Sequence, residues 1–223
     1  ANAGLPDPVT NTYNVLPDEF ADTCKEMVKY GAKVLGGCCG TTPAYVAKLK
    51  EMVATVNASV VKKKPRQLAV CTPLKTVVVD QPRIVGERIN PTGKKRFKQA
   101  LRDNDMNYIL SQAIEQIDAG ADILDVNVGS PDIDEKEMMV KVIKALQAIV
   151  DVPLQIDSTK PEVLEAALRV YNGKPIVNSV NGEEEVLDTI LPIVAKYGGA
   201  VIGLALDENG IPPTAEGRVE IAK

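Results

Sequence analysis

The sequence predicts an α/β protein built from parallel βα units, and three observations carry that expectation. Five apolar runs, Arg83–Asn90, Ala121–Gly129, Val152–Thr159, Lys174–Asn181 and Ala200–Asp207, each turn polar at their far ends, and helix-like segments separate them. The polar endings all fall on the same side, as they do when strands run parallel and helices return the chain between them. No glycine-rich phosphate loop follows the first run, which argues against a nucleotide-binding open sheet. Two architectures fit five units between Arg83 and Lys223: a doubly wound sheet, or the first five units of a (β/α)8 barrel, which when complete takes about 250 residues. The missing phosphate loop favours the barrel.

Composition narrows the chemistry. The 223 residues are 45% hydrophobic and 25% charged, an ordinary balance for a soluble globular chain. A net charge of −4 offers no field for nucleic acid, and Lys62-Lys63-Lys64-Pro65-Arg66 reads as a solvated linker. There is no histidine. That excludes Ser-His-Asp and Cys-His nucleophiles, HExxH zinc sites and an imidazole base, so proton transfer falls to carboxylates, Lys, Tyr or thiols. Four cysteines, two of them adjacent, do not form a secreted disulfide framework. No signal peptide or transmembrane run is evident, so the expected setting is the cytoplasm, with neither membrane nor nucleic acid as partner.

The chain divides into 1–57, a linker 58–82, and 83–223. In the first part Pro17-Asp18-Glu19 opens a helix that Gly31 ends. Ala32–Leu35 is expected as a short strand, followed by the glycine-framed loop Gly36-Gly37-Cys38-Cys39-Gly40-Thr41-Thr42 and a helix from Pro43 to about Val56. Adjacent cysteines resist a mutual disulfide, and flanking glycines let both sulfurs aim at one point, which suits zinc. Two ordinary buried cysteines remain the alternative. Neither Cys24 nor Cys71 has a spacing that recommends it as a third ligand. Lysines and Pro65, Pro73 and Pro82 mark the linker, with Thr76–Val79 its one strand-like stretch.

In the last part, Phe97 to Ile117 shows helical spacing broken at Asp103-Asn104-Asp105, with Gly120 as the stop. Helices follow from about Asp134 to Val150, after Thr159 as far as Asn172-Gly173, and from Glu183 to Gly198 with Pro192 inside. Ser158 and Thr159 stand where they can cap the second of these, and Pro161 suits its first turn. Strand alternation puts Asp125 and Asn127 on one face and Leu124, Val126 and Val128 on the other. Gln155 with Asp157, and Ile176 with Asn178, alternate likewise. Glu87 or Asn90, Asp125 with Asn127, Asp157 and Asn178 therefore converge on one cavity. A carboxylate among carboxamides suits a flat heterocycle with an amino-imino edge, which an Asp can meet with two parallel hydrogen bonds. The plain alternative makes these residues helix caps and loop partners.

Two resemblances sharpen this. Asn2–Pro6, Leu16–Phe20 and Gly31–Pro43 resemble the last two βα units of the homocysteine methyltransferase barrel. That likeness implies Cys38 and Cys39 as two of three cysteine ligands to a zinc that binds homocysteine, the third coming from an earlier strand end outside these residues. Gly86–Asn90, Leu124–Gly129, Ile156–Thr159 and Val177–Asn181 resemble the pterin-binding methyltransferase barrels, which take 5-methyltetrahydrofolate. By motif, Asp157 and Asn178 match pterin contacts, Glu87, Asn90, Asp125 and Asn127 line the same cavity, and Gly93, Lys94 and Lys95 fall where the first loop approaches the folate. A homocysteine barrel followed by a folate barrel is similar to the cobalamin-dependent methionine synthase family. The resemblance implies parts of two (β/α)8 barrels joined by a linker, the second with about five βα units. It further implies methyl transfer from 5-methyltetrahydrofolate through cobalamin on a separate domain to homocysteine, with this chain inactive alone. The alternatives are a folate:corrinoid protein methyltransferase and a non-catalytic folate-binding piece.

Overall fold

A computed structural model of the chain describes residues 2–57 and 67–223. They form two compact units, Ala1–Pro65 and Arg66–Lys223. The lysine-rich stretch and the first half of the expected linker, 58–66, lie outside the described residues.

The first unit is a helical pair, α1 (Pro17–Lys29) and α2 (Pro43–Val53). Proline stands in the first turn of both, and Asp18 and Glu19 complement the dipole of α1. Gly31, at φ 97°, takes the left-handed conformation that ends α1. The helices meet through Phe20 and Tyr45, edge to face at 5.5 Å, while the Tyr45 hydroxyl donates to the Val15 carbonyl at 2.7 Å. The expected strand Ala32–Leu35 is not formed, and Val34 is 94% exposed. Apolar residues alone do not make a strand: its backbone needs a neighbouring strand, and the described residues of this unit provide none there.

The second unit begins with a hairpin inside the expected linker: β1 (Ala69–Cys71) and β2 (Thr76–Val78), paired antiparallel with Val70 opposite Val77. The strand-like stretch Thr76–Val79 thus forms β2, whereas the three residues of β1 show too little alternation to be read from sequence. Val70 and Val77 bury themselves against Ile123 and Ile176, and Cys71 and Lys174 exchange backbone hydrogen bonds of 3.0 and 2.9 Å.

Next come β3 (Val85–Ile89), α3 (Lys95–Arg102), α4 (Met106–Asp118), β4 (Ile123–Val126), α5 (Glu135–Gln147) and β5 (Leu154–Asp157). They are followed by α6 (Pro161–Val170), β6 (Ile176–Val180), α7 (Glu184–Tyr197), β7 (Ala200–Gly203) and α8 (Ala215–Ala222). The five strands β3 to β7 are parallel and lie in sequence order. An unbroken order decides between the two expected architectures, because right-handed crossovers that never reverse direction stack all their helices on one face. This is barrel wall, not a doubly wound sheet. On the helix side Leu124, Val126, Leu154, Ile156 and Val177 join Phe97, Met139 and Leu164 in one core. On the other side Ile123 and Ile176, the first residues of β4 and β6, rest on the hairpin, which therefore covers the base of the wall.

Local signals place the helix ends. Asp105 accepts the Tyr108 N–H at 3.1 Å and so caps α4, and Asn104 at φ 54° makes the break between α3 and α4. Asp134 caps α5, and left-handed Gly198 ends α7. The expected cap of α6 is not found: its N-cap is Lys160, without a side-chain cap bond, and Thr159 is exposed. Ser158 accepts the Lys160 N–H but donates its own proton to Glu135, so its hydroxyl ties two βα units together.

Tyr171 ties hairpin to wall. Its hydroxyl donates to the Cys71 carbonyl at 3.0 Å and accepts from the Leu154 N–H at 3.3 Å, and burial pushes its pKa up to about 12, so it stays protonated. Tyr171→Phe is expected to lower unfolding stability by about 1–3 kcal/mol, the cost of stranding buried backbone groups. Urea melts with an unchanged slope would show this; an unchanged midpoint would mean that both groups find other partners.

Candidate functional site

The mouth of the wall is set by register. Parallel pairing puts Asp125 beside Gln155, and Asp157 beside Asn178. With period 2 along each strand, Ile123, Asp125 and Asn127 rise in order from base to mouth on the face away from the helices. Apolar residues therefore close the bottom, and acids with amides form the top.

These side chains bond to one another. Gln155 Nε2 donates to Asp125 Oδ1 at 2.6 Å, and Asn178 Nδ2 donates to the same oxygen at 3.2 Å. Asn127 Nδ2 donates to Asp157 Oδ2 at 2.9 Å, while its own oxygen accepts the Gly129 N–H at 2.8 Å. Asp125 is buried, at 2% exposure, whereas Asp157 is partly open. Burial raises the pKa of Asp125; the bonds from Gln155 and Asn178 oppose this, and the charges of Asp157 and Glu87 add to it. Asp157 is also raised, chiefly by burial, against the bond from Asn127 and with the charges of Glu87 and Glu135. Two carboxylates under mutual repulsion, each supported by amide donors, form a basic acceptor surface.

The first loop contributes less directly. Lys94 Nζ reaches back to Glu87, 3.0 Å from the carboxylate and 2.9 Å from the backbone carbonyl. Asn90 is buried and uses its side-chain oxygen on the Thr92 N–H at 2.8 Å, so it shapes the turn. Gly93 takes φ 71°, and a Cβ there would meet open space. Lys95 is exposed at the start of α3, with no ion pair among the described residues. The structure thus joins Asp125, Asn127, Asp157 and Asn178 in direct contact, brings Glu87 and Lys94 together beside them, and leaves Lys95 apart.

Three further residues belong to this end of the wall. Gln155 was legible, since it alternates with Asp157. Glu135 and Ser130 were not: Glu135 reads as a first-turn acid of a helix, and Ser130 as a loop residue. Ser130 Oγ is the one buried side-chain polar atom without a hydrogen-bond partner among the described residues.

In the other unit, Cys38 and Cys39 are exposed, which removes the reading of two buried structural cysteines. Their sulfurs lie 3.7 Å apart, and hydrogen bonds from the backbone and thiol of Cys39 lower the pKa of Cys38. Zinc–sulfur bonds of about 2.3 Å in tetrahedral geometry put two sulfurs about 3.8 Å apart, so this pair fits one edge of a zinc site. The loop is built to hold them: the Cys38 carbonyl accepts from Thr41 N at 3.1 Å and Oγ1 at 2.6 Å, and a Cβ on Gly40 would come within 2.3 Å of the Tyr13 ring. No cluster of three or more potential metal ligands occurs among the described residues, and Cys24 is buried in α1. No helix among them is long and apolar enough to cross a membrane.

Comparison with known proteins matches both halves. A family model described as pterin binding enzyme matches residues 86–220, and one described as homocysteine S-methyltransferase matches residues 1–53. Methionine synthase of Mycobacterium tuberculosis (strain ATCC 25618 / H37Rv) is 33% identical over 232 residues, covering 100% of this chain and 20% of its own. That of Mycobacterium leprae (strain TN) is 32% identical over 237 residues, with the same coverages of 100% and 20%. A crystal structure of Yersinia pestis dihydropteroate synthase aligns with a TM-score of 0.49 at 17% identity, covering 70% of this chain and 54% of its own. The chain spans about a fifth of the length of the curated relatives it matches.

Proposed function

The chain belongs to the pterin binding enzyme family, and we propose that the mouth formed by Asp125, Asn127, Asp157 and Asn178 binds the pterin ring of 5-methyltetrahydrofolate. The observation that carries this reading is the partly open Asp157 carboxylate, held by Asn127 on one oxygen and paired in register with Asn178. Its remaining lone pairs face the amino-imino edge of the ring, and the amides accept and donate around it. Glu87, Asn90, Gly93, Lys94 and Lys95 form the approach for the rest of the folate.

The full reaction proposed is methyl transfer from 5-methyltetrahydrofolate, by way of cobalamin, to homocysteine, giving methionine and tetrahydrofolate. The match of residues 1–53 to homocysteine S-methyltransferase supports it over a folate:corrinoid protein methyltransferase, which has no use for that segment. Cobalamin on a separate domain, when docked, supplies the methyl acceptor and donor. This chain's residues would bind and orient the folate, and the basic carboxylates of Asp125 and Asp157 would hold the ring's donating edge. Cys38 and Cys39 would hold zinc with one further donor, and zinc when bound supplies the Lewis acid that keeps a thiol substrate ionised near neutral pH. The proposed division is 1–57 for the homocysteine part, 58–82 for the connection and 83–223 for the pterin part, in a cytoplasmic enzyme whose isolated piece does not turn over.

Calorimetric titration tests the pterin reading. The chain should bind 5-methyltetrahydrofolate in competition with a simple pterin and not with p-aminobenzoylglutamate; competition by the latter alone would overturn it. Zinc gives a separate expectation. With two thiolates as donors, the chain should retain well under one equivalent of zinc after dialysis, and Cys38→Ser should lose the remainder. A full equivalent retained, measured by metal analysis, would mean that the chain supplies a third donor.

A further inference from the structure

Glu135 opens α5, where an acid in the first turn is ordinarily explained by the helix dipole. Its environment goes beyond that. The side chain is only 10% exposed, which is uncommon for a charged group, and both oxygens reach across to the next βα unit. Oε1 accepts from Ser158 Oγ at 2.6 Å, and Oε2 lies 2.9 Å from Lys160 Nζ. The Ser158 hydroxyl also accepts the Lys160 N–H at 3.2 Å. These three groups lock the turn that directly follows Asp157. A Cβ on Gly129 would come 3.8 Å from the Glu135 carboxyl, so the loop after β4 closes on it as well.

We propose that Glu135 is the positioning residue for Asp157: through Ser158 and Lys160 it fixes the turn that aims the Asp157 carboxylate, and its charge keeps that carboxylate a strong acceptor for a donating ligand edge. The ligand half rests on the pterin reading; the effect on Asp157 itself does not. The charged groups facing Asp157 are Glu87 from β3, held by Lys94, Asp125 from β4, and Glu135 from α5, held by Lys160; β6 offers the uncharged Asn178. Burial raises Asp157 first, and the charges of Glu87 and Glu135 raise it further. Sequence gives no hint of this, because Glu135 and Asp157 belong to different units.

The test uses two variants of the full chain that move the charge in opposite senses. Glu135→Gln keeps an oxygen for the Ser158 hydroxyl and removes the charge. Lys160→Met removes the cation that offsets it, at a position 54% exposed in its side chain, and a thermal melt checks that the variant folds. NMR titration of the Asp157 carboxyl in the unliganded protein should show its midpoint falling in Glu135→Gln and rising in Lys160→Met. The acid edge of 5-methyltetrahydrofolate binding should move in the same directions. A purely structural Glu135 moves neither midpoint, so unchanged titration in both overturns the proposal; if Glu135→Gln does not fold, Lys160→Met alone decides. Midpoints that move as stated in a protein that binds no folate would uphold the role of Glu135 and refute the pterin reading.

Discussion

Asp157→Asn is expected to weaken 5-methyltetrahydrofolate binding by more than tenfold while leaving the fold intact. The carboxylate offers acceptors to a ligand edge that donates, and such charge-assisted hydrogen bonds contribute about 1.5–3 kcal/mol each, partly offset by desolvation. The amide has nearly the same volume, but its NH2 presents a donor toward a donor. Losing one bond of that size exceeds the roughly 1.4 kcal/mol that corresponds to one decade in affinity. Stability should hold, for two reasons. The amide oxygen can still accept from Asn127, as Oδ2 does now at 2.9 Å. Burial also penalises the ionised form of Asp157, so removing its charge relieves a cost in the folded state. Homocysteine binding, assigned to the other unit, should not change. Calorimetry with both ligands and a thermal melt check this. Unchanged folate affinity would reduce Asp157 to a partner for Asn127, and a large fall in melting temperature would attribute any binding defect to the fold.

The parts legible in sequence are those written into contiguous residues. Val152 to Asp157 announces a buried strand with a carboxylate at its end, and alternation alone put Asp125 with Asn127, and Gln155 with Asp157, on the face where they are found. Asp134 and Gly198 marked helix ends through their side-chain and backbone preferences. What escaped depended on distant partners. Ala32–Leu35 has a strand's composition but no neighbour to pair with among the described residues, and Ala69–Cys71 has little of the composition but finds Thr76–Val78 and a base to cover. Ser158 is an ordinary N-cap candidate until Glu135, 23 positions earlier, takes its proton. The exposure of Cys38 and Cys39 was equally open, since flanking glycines allow a loop to turn either inward or outward.

Asp125→Asn should separate binding from stability most sharply. Asp125 is the most enclosed acid of the mouth, at 2% exposure, and burial is the largest influence on it, raising its pKa above the ordinary value of 3.8. A carboxyl raised in the folded state binds its proton more readily there than in the unfolded chain. Stability therefore declines as pH rises from 3.8 through the folded-state value, and the full cost of the buried charge is present at neutral pH. Asparagine removes that cost and keeps an oxygen for Gln155 and Asn178, the two donors that now share Oδ1. Oδ2 is not among the buried atoms left without a partner, so a nitrogen in its place is not stranded. Urea melts across the acid-to-neutral range should find the variant at least as stable as the parent at neutral pH, with a flatter pH profile. Folate affinity should nevertheless drop by at least tenfold, because Asp125 contributes its negative charge to the mouth and holds Asn178 in place beside Asp157. A variant that is less stable at neutral pH would show that its two hydrogen bonds depend on the charge and outweigh burial; undiminished affinity would show that the pterin does not read this layer of the mouth.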